Sequence, residues 1–297
     1  MDFLYFIIAK IFYSIGYFHG SSKILMRISR GFPLKVARVK HPLGFSWMIS
    51  SRDALNTYLS SCEPFSTKLV SSMAANIDSF ICVGANRGWY PLVVGVKSKK
   101  IRIESFECNS AIYEELSQNI EQNGNQSELH RFAIGDHVGE AILYMPINGN
   151  EGMSTLYPVG EQKQNASIVE RVNLTTLDAY LFDQVEILGR LLILMDIEGS
   201  ELKALKGASQ LIRNCSPAII LEINADMLKE AGSSSFELLQ YLRGLDYEVY
   251  WIDERGNLVI VGSNNELPHL SILPPHTGAN YLFVKLGDDW VNNFIKI

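Results

Sequence analysis

The sequence has no C-x-x-C pair. Its four cysteines, Cys62, Cys82, Cys108 and Cys215, lie far apart in 297 residues. That spacing fits reduced thiols in a cytoplasmic setting better than a disulfide framework. No two of the six histidines (His19, His41, His130, His137, His269, His276) have the spacing of a helical zinc site, so no metal motif is read. Internal repeats and low-complexity tracts are missing. Long apolar runs are missing too: residues 3–18 are strongly apolar but too short for a membrane span, and Lys10 interrupts them. That stretch has no basic segment before it and no small-residue cleavage site after it, so it does not read as a secretory signal. Beyond residue 40 there is no basic stripe interleaved with aromatics, which argues against nucleic acid as a partner.

What is present is ample apolar content, 47% hydrophobic against 20% charged. That is enough for a sizeable core. The length favours one large domain, or one domain with an extension. We expect an extension over residues 1–75 and the main domain over 76–297. The net charge of −6 is unevenly spread. Residues 1–40 hold Lys10, Lys23, Arg27, Arg30, Lys35, Arg38 and Lys40 against the single acid Asp2, so the rest of the chain is markedly acidic. On a helical wheel Leu4, Ile7, Ile8, Ile11, Ile15 and Phe18 share one face, with Asp2, Lys10, Ser14 and Tyr17 opposite. Two readings stay open for this head. It docks on the domain's own core, or it lies with its basic run on an anionic surface at the inner face of a membrane.

The chain is organised around residues 76–109. An apolar strand, Ile77–Val83, runs into Gly84-Ala85-Asn86-Arg87-Gly88. A helical stretch and a second strand, Ile101–Phe106, follow, ending at Glu107. This is half of a nucleotide-binding α/β unit, with glycines for a sharp turn and an acid placed for ribose hydroxyls. A dinucleotide fold wants glycine where this chain has Asn86 and Trp89. The pyrophosphate cradle is spoiled while the turn and the ribose acid remain. That combination suits a nucleoside ligand without phosphate, of which S-adenosylmethionine is the common one. It also disfavours a nicotinamide-dependent dehydrogenase.

The remainder alternates as a doubly wound, mostly parallel α/β domain does. Before the glycine turn, two short strands flank His41–Gly44, and Asp53–Leu59 and Phe65–Ala75 read as helices without recognisable chemistry. After it, Ser110 caps a helix to Gln122, and Leu129–Ile134 reads as a third strand. Residues 140–175 interrupt the alternation, as a functional flap or an inserted hairpin. Arg190–Met195 is a buried central strand. Ser200 caps a helix through Arg213, and Pro217–Ile223 is another buried strand. A helix pair around 225–244 precedes strands at Glu248–Ile252, Leu258–Val261 and Tyr281–Leu286, the finish expected of an antiparallel C-terminal hairpin.

Ligands of open parallel sheets sit at the carboxyl ends of the strands. Four strands here deliver a glycine turn or an acid to that rim: Gly84-Ala85-Asn86, Glu107, Asp136, and Asp196 with Glu198. A single acid there is ordinarily a helix cap; four in register call for another account. The chemistry assigns Glu107 to the ribose, Asp136 to the adenine amino group, the turn from Gly84 to Gly88 to the methionine moiety, and Asp196 to its ammonium or the methyl donor. Methyl transfer needs in-line positioning, and a base if the acceptor is a hydroxyl. Glu198 and His137 are the nearest candidates, with capping acid and surface histidine as their ordinary readings.

These residues carry a family resemblance. VGANRGWYPL, SFECN, AIGDHVGEA, LTTLDAYL and MDIEGSELKALKGASQLI…PAIILEI occur in the order and spacing of the FkbM family of S-adenosylmethionine-dependent methyltransferases, over roughly residues 76–286. The D-x-E-G-x-E-x-x-x-L-x-G-A run is the most specific part. The resemblance implies a Rossmann-like class I methyltransferase fold and O-methylation of sugar, glycan or natural-product hydroxyls. It implies cofactor positions at Gly84, Asn86, Gly88, Glu107, Asp136 and Asp196. Three positions depart from the family pattern: Cys82 stands for an aspartate, Cys108 for a proline and Leu194 for a lysine. They motivate a second reading, a degenerate relative that binds a nucleoside or a partner without catalysis. The acceptor pocket is expected from residues 140–175 and 262–280.

Overall fold

The computed structural model describes residues 5–10, 36–60, 62–146, 153–158, 168–253, 256–262, 278–288, 290–291 and 294. Strands β1 (Ala37–Lys40) and β2 (Ser46–Ile49) form the hairpin expected around His41–Gly44. Helices Arg52–Ser60 and Pro64–Met73 lead into β3 (Ser79–Val83), every residue of which is buried. Then follow β4 (Arg102–Phe106), β5 (Glu128–His130), β6 (Ala133–Ile134), β7 (Gly139–Met145) and β8 (Ile168–Thr175). The chain continues through β9 (Leu191–Met195), β10 (Ala218–Ile223), β11 (Tyr247–Ile252), β12 (Leu258–Ile260) and β13 (Ala279–Lys285).

Eight strands build the main sheet in the order β12-β11-β13-β10-β9-β3-β4-β5. The run from β10 to β5 is parallel, and β13 is antiparallel to both its neighbours. From β3 the winding goes outward through β4 and β5, then returns to β9 and β10. The switch point therefore falls between β3 and β9, where such sheets bind ligands.

Period-two alternation sends the strands' side chains to two cores. Phe80 and Cys82 join one face, and Ile81 and Val83 the other. Helix Trp89–Lys97 and the N-terminal elements cover the first face, so residues before 76 share a core with the sheet. Trp89 is the peg that seats them. Its indole meets His41, Phe45 and Trp47 edge-on at 5.0–5.3 Å between ring centroids, and its Nε1 donates to Thr67 Oγ1 at 2.9 Å. Aromatic pairs of this kind add about 1 kcal/mol each beyond area burial. Burial holds His41 neutral, its pKa lowered to about 3. Arg87, 2% exposed, bonds Asp53 and Glu115 at 2.8 Å each, tying helix Arg52–Ser60 to helix Ser110–Gln122.

Residues 5–10 are helical and bury Tyr5 and Ala9 in the same core, while Lys10 is exposed. That is the core-docked reading for the part described. The basic residues from Lys23 to Lys35 lie outside the described residues. Among the described residues no helix is long and apolar enough to cross a membrane.

Three local expectations change. The single third strand is two: β5 stays in the main sheet, and β6 leaves it to pair with β8 in a separate sheet, β6-β8-β7. His130 ends β5 by bonding Glu104 Oε2 through Nε2 at 2.6 Å and the Tyr180 hydroxyl through Nδ1 at 2.9 Å. The long helix after Ser200 is also two, Glu201–Lys206 and Ser209–Cys215. Between them Gly207 lies against the Gly135 carbonyl, too close for any Cβ. Finally, Asn109 rather than Ser110 caps its helix, its side chain accepting from Ala111 and Ile112 N–H. Residues 140–175 include the inserted hairpin β7–β8.

Candidate active site

The site grows from the switch point. After β3 the chain turns at Gly84, φ +78°. Gly84 and Ala85 N–H both donate to the Phe106 carbonyl at 2.9 Å, and Asp196 N–H donates to Val83 O at 3.1 Å. Gly84 needs to be glycine, because a Cβ would fall inside the Asp196 carbonyl oxygen. Asn86 (φ +48°) and Gly88 (φ +91°) complete the turn. Left-handed backbone at a non-glycine residue costs about 1–3 kcal/mol and concentrates at functional sites.

Glu107 sits at the end of β4, 9% exposed. Asn86 N–H donates to its Oε2 at 3.0 Å and Asn109 N–H to its Oε1 at 2.8 Å. Burial pushes its pKa up, opposed by these backbone donors. Glu107 lines a cleft of about 640 Å³, part of it open to solvent. Phe106, Ile112, Phe132, Ile134 and Leu143 make its apolar wall, and Gly84, Asn86 and Asp196 its floor. Residues 153–158 close one side: Thr155 Oγ1 donates to Glu198 O at 2.8 Å, and Asn109 Nδ2 to Ser154 Oγ at 3.1 Å. A second recess of about 440 Å³ lies beyond Gly84 and Asn86, walled by Trp47, Thr57, Cys62, Tyr90, Leu194 and Asp196.

Asp196 ends β9 and Glu222 lies near the end of its parallel neighbour β10. The Asp196 charge, and then burial, push the Glu222 carboxyl well above its ordinary value. Burial raises Asp196 overall. Glu63 joins them from the start of helix Pro64–Met73. Its Oε2 accepts from the Tyr90 hydroxyl and its Oε1 from Asn280 Nδ2, both at 2.8 Å, while burial and then Asp196 raise its pKa. Glu198, in a left-handed conformation at φ +49°, is raised to about 8, first by burial and then by Asp196 and Glu201. The result is a knot of carboxylates at one end of the site, where a proton or a cation is electrostatically welcome.

The structure thus brings Gly84, Ala85, Asn86, Gly88, Glu107, Asp196 and Glu198 together around the turn. It does not bring Asp136 or His137. Asp136 is 41% and His137 65% exposed, and they pair with each other at 2.8 Å in an adjacent cleft. The cause is the break after β5, which carries Gly135-Asp136 away with β6. Sequence reasoning missed Glu63, Tyr90 and Asn280, and gave Glu222 no role. Glu63 precedes Pro64 at a helix start, and an acid there reads as an ordinary cap; in fact its side chain makes no capping bond.

Sheet order, switch-point cleft and strand-end acids define a Rossmann-like class I methyltransferase fold. The methyltransferase FkbM domain model matches residues 82–249, and the chain belongs to that family. Among solved structures it is similar to a methyltransferase FkbM from Methylobacillus flagellatus KT, at 17% identity and TM-score 0.42, covering 78% of this chain and 53% of that one. The chain thus spans about half the length of that protein. An O-methyltransferase from Bacillus cereus, solved with SAH, is 10% identical at TM-score 0.43, covering 96% of this chain and 100% of that one. A SAM-dependent O-methyltransferase from Thermotoga maritima is 10% identical at TM-score 0.39, covering 87% and 80%. No curated protein matches the chain.

Proposed function

We propose that the chain is an S-adenosylmethionine-dependent O-methyltransferase acting on a hydroxyl of a sugar, glycan or related natural product. The observation that carries the reading is Glu107, held by the Asn86 and Asn109 N–H groups and lining an apolar-walled cleft beside the switch point. A carboxylate held in that way is pre-organised for a vicinal diol. The residues fit the cofactor: Glu107 would hold the ribose, the wall of Phe106, Ile112 and Ile134 the adenine, and the recess beyond Gly84 the amino-acid end. When bound, S-adenosylmethionine supplies an electrophilic methyl group. Asp196 lines both the cleft and the recess beyond Gly84, and we assign its carboxylate to receive the acceptor's hydroxyl proton. The knot of carboxylates also offsets the positive charge of a sulfonium and an ammonium.

The degenerate reading rests on Cys82 and Leu194. Those two positions are partners in the β3–β9 register and share one core face. An aspartate and a lysine there would form one buried pair. Replacing such a pair jointly by apolar residues is often neutral or stabilising. The two departures therefore read as one packing exchange beneath the site, and we favour the active enzyme.

Isothermal titration of S-adenosylmethionine and S-adenosylhomocysteine into the full chain tests this. Micromolar binding that Glu107→Ala weakens at least 100-fold is expected, since about 3 kcal/mol rests on charged hydrogen bonds. No binding by the unaltered chain would overturn the proposal and return the weight to a non-catalytic relative.

A further inference from the structure

Beside the cleft assigned to the cofactor lies a second one of about 650 Å³. Ile134, Leu156 and Ser200 belong to the walls of both. The partition between them is thus a single layer of side chains. Ser200 is 2% exposed, and its Oγ has no hydrogen-bond partner among the described residues. Ser200 holds the N-cap position of the helix that follows, but its hydroxyl makes no capping bond. An unpartnered buried hydroxyl costs free energy unless a ligand group completes it.

The polar wall of the second cleft is Asp136, His137, Glu140, Tyr144, Tyr157 and Lys203. Asp136 is engaged by His137, and Glu140 by Arg171 at 2.8 Å. Lys203 differs. It is half-buried and is the one lysine or arginine in that wall among the described residues. Its Nζ donates to the Tyr157 hydroxyl at 2.6 Å and lies 4.3 Å from that ring's centroid. No carboxylate lies within salt-bridge range of it among the described residues, although Asp136 feels its charge through space. An ammonium has three donors, and here one goes to a neutral phenol. A half-buried ammonium with no carboxylate in salt-bridge range among the described residues has donors to offer an anion.

We propose that this cleft is the acceptor subsite, and that Lys203, steadied by Tyr157, selects acceptors carrying an anionic group, a carboxylate or a phosphate ester. The inference rests on the methyltransferase reading and deepens it. Ser200 stands where the two clefts meet, so an acceptor hydroxyl placed against Ser200 Oγ completes the unpartnered hydroxyl and faces the donor cleft. Lys203 is then a specificity residue three positions further along the chain, set back from the reacting atoms.

Saturation-transfer NMR on the full chain, with and without S-adenosylhomocysteine, tests this with three probes: methyl glucuronide, glucose 1-phosphate and neutral methyl glucoside. We expect at least one anionic probe to bind tenfold tighter than the neutral one, and the stronger of the two identifies carboxylate or phosphate as the group read. Lys203→Gln should abolish the preference and Lys203→Arg should keep it, with S-adenosylhomocysteine affinity unchanged in both. Equal binding of charged and neutral probes, or a preference that survives Lys203→Gln, overturns the subsite. Failure of S-adenosylhomocysteine to bind would overturn the methyltransferase reading instead, and the probe comparison without it still decides the subsite.

Discussion

Glu107 and Asp196 end the two strands that flank β3, yet their surroundings are opposite. Glu107 stands alone, with a backbone N–H on each oxygen. Asp196 faces Glu222, with Glu63 and Glu198 close by; burial raises Asp196, Glu63 and Glu198, and the Asp196 charge raises Glu222. The first setting suits a neutral, directional partner such as a diol. The second carries electrostatic stress that a cation or a proton would relieve. The two carboxylates differ because backbone donors oppose the burial of one, while the other is buried among acids.

Gly84 is where the two settings touch, so Gly84→Ala is the severest way to break the comparison. The new Cβ would collide with the Asp196 carbonyl oxygen, at a backbone φ of +78°. We expect a loss of about 4 kcal/mol in urea unfolding. Near-normal stability would mean that the two strand ends are not held in contact.

Legibility in the sequence follows the same division. The turn and Glu107 lie within one strand–helix–strand unit, so spacing alone places them. The carboxylate knot draws Glu63, Asp196 and Glu222 from three distant segments, with Asn280 from a fourth, and no local pattern announces such a meeting. The parallel sheet was legible because LLILM and AIILEI are buried on both faces. Asp136 was misplaced because Leu129–Ile134 looks like one apolar strand. The His130–Glu104 bond that ends it joins residues 26 apart. Trp89 was read only as a missing glycine, and its use as a docking peg depends on rings brought from residues 41–47.

A middle-sized effect is expected beneath the acidic half. Cys82 is 1% exposed, and its thiol is pushed up by burial and then by Asp196 and Glu107. Cys82→Asp adds an unpaired buried carboxylate and should cost about 3 kcal/mol. Adding Leu194→Lys supplies its partner in register and should return about 2 kcal/mol of coupling in a double-mutant cycle. Strict additivity of the two substitutions would mean that they do not face each other.

A last test, read through pH, removes one acid from the knot's edge. Glu201 is 2% exposed; its Oε1 accepts from Ile197 and Gly199 N–H at 3.2 Å, and its Oε2 has no partner among the described residues. Burial raises its pKa from 4.5 to about 7. A raised carboxyl favours the folded state while protonated. Its contribution is fully present below the unfolded value of 4.5 and is lost as pH climbs through about 7. The loss is of the order of 3 kcal/mol, from the free-energy equivalent of a pKa shift. Thermal unfolding of the unaltered chain should therefore fall in midpoint between pH 5 and pH 8. Glu201→Gln keeps the Oε1 acceptor and cannot ionise, so its midpoint should fall less over that range and exceed the unaltered chain's at pH 8. Parallel pH curves for the two proteins would show that Glu201 does not feel the stress that sets the Asp196 side apart from Glu107.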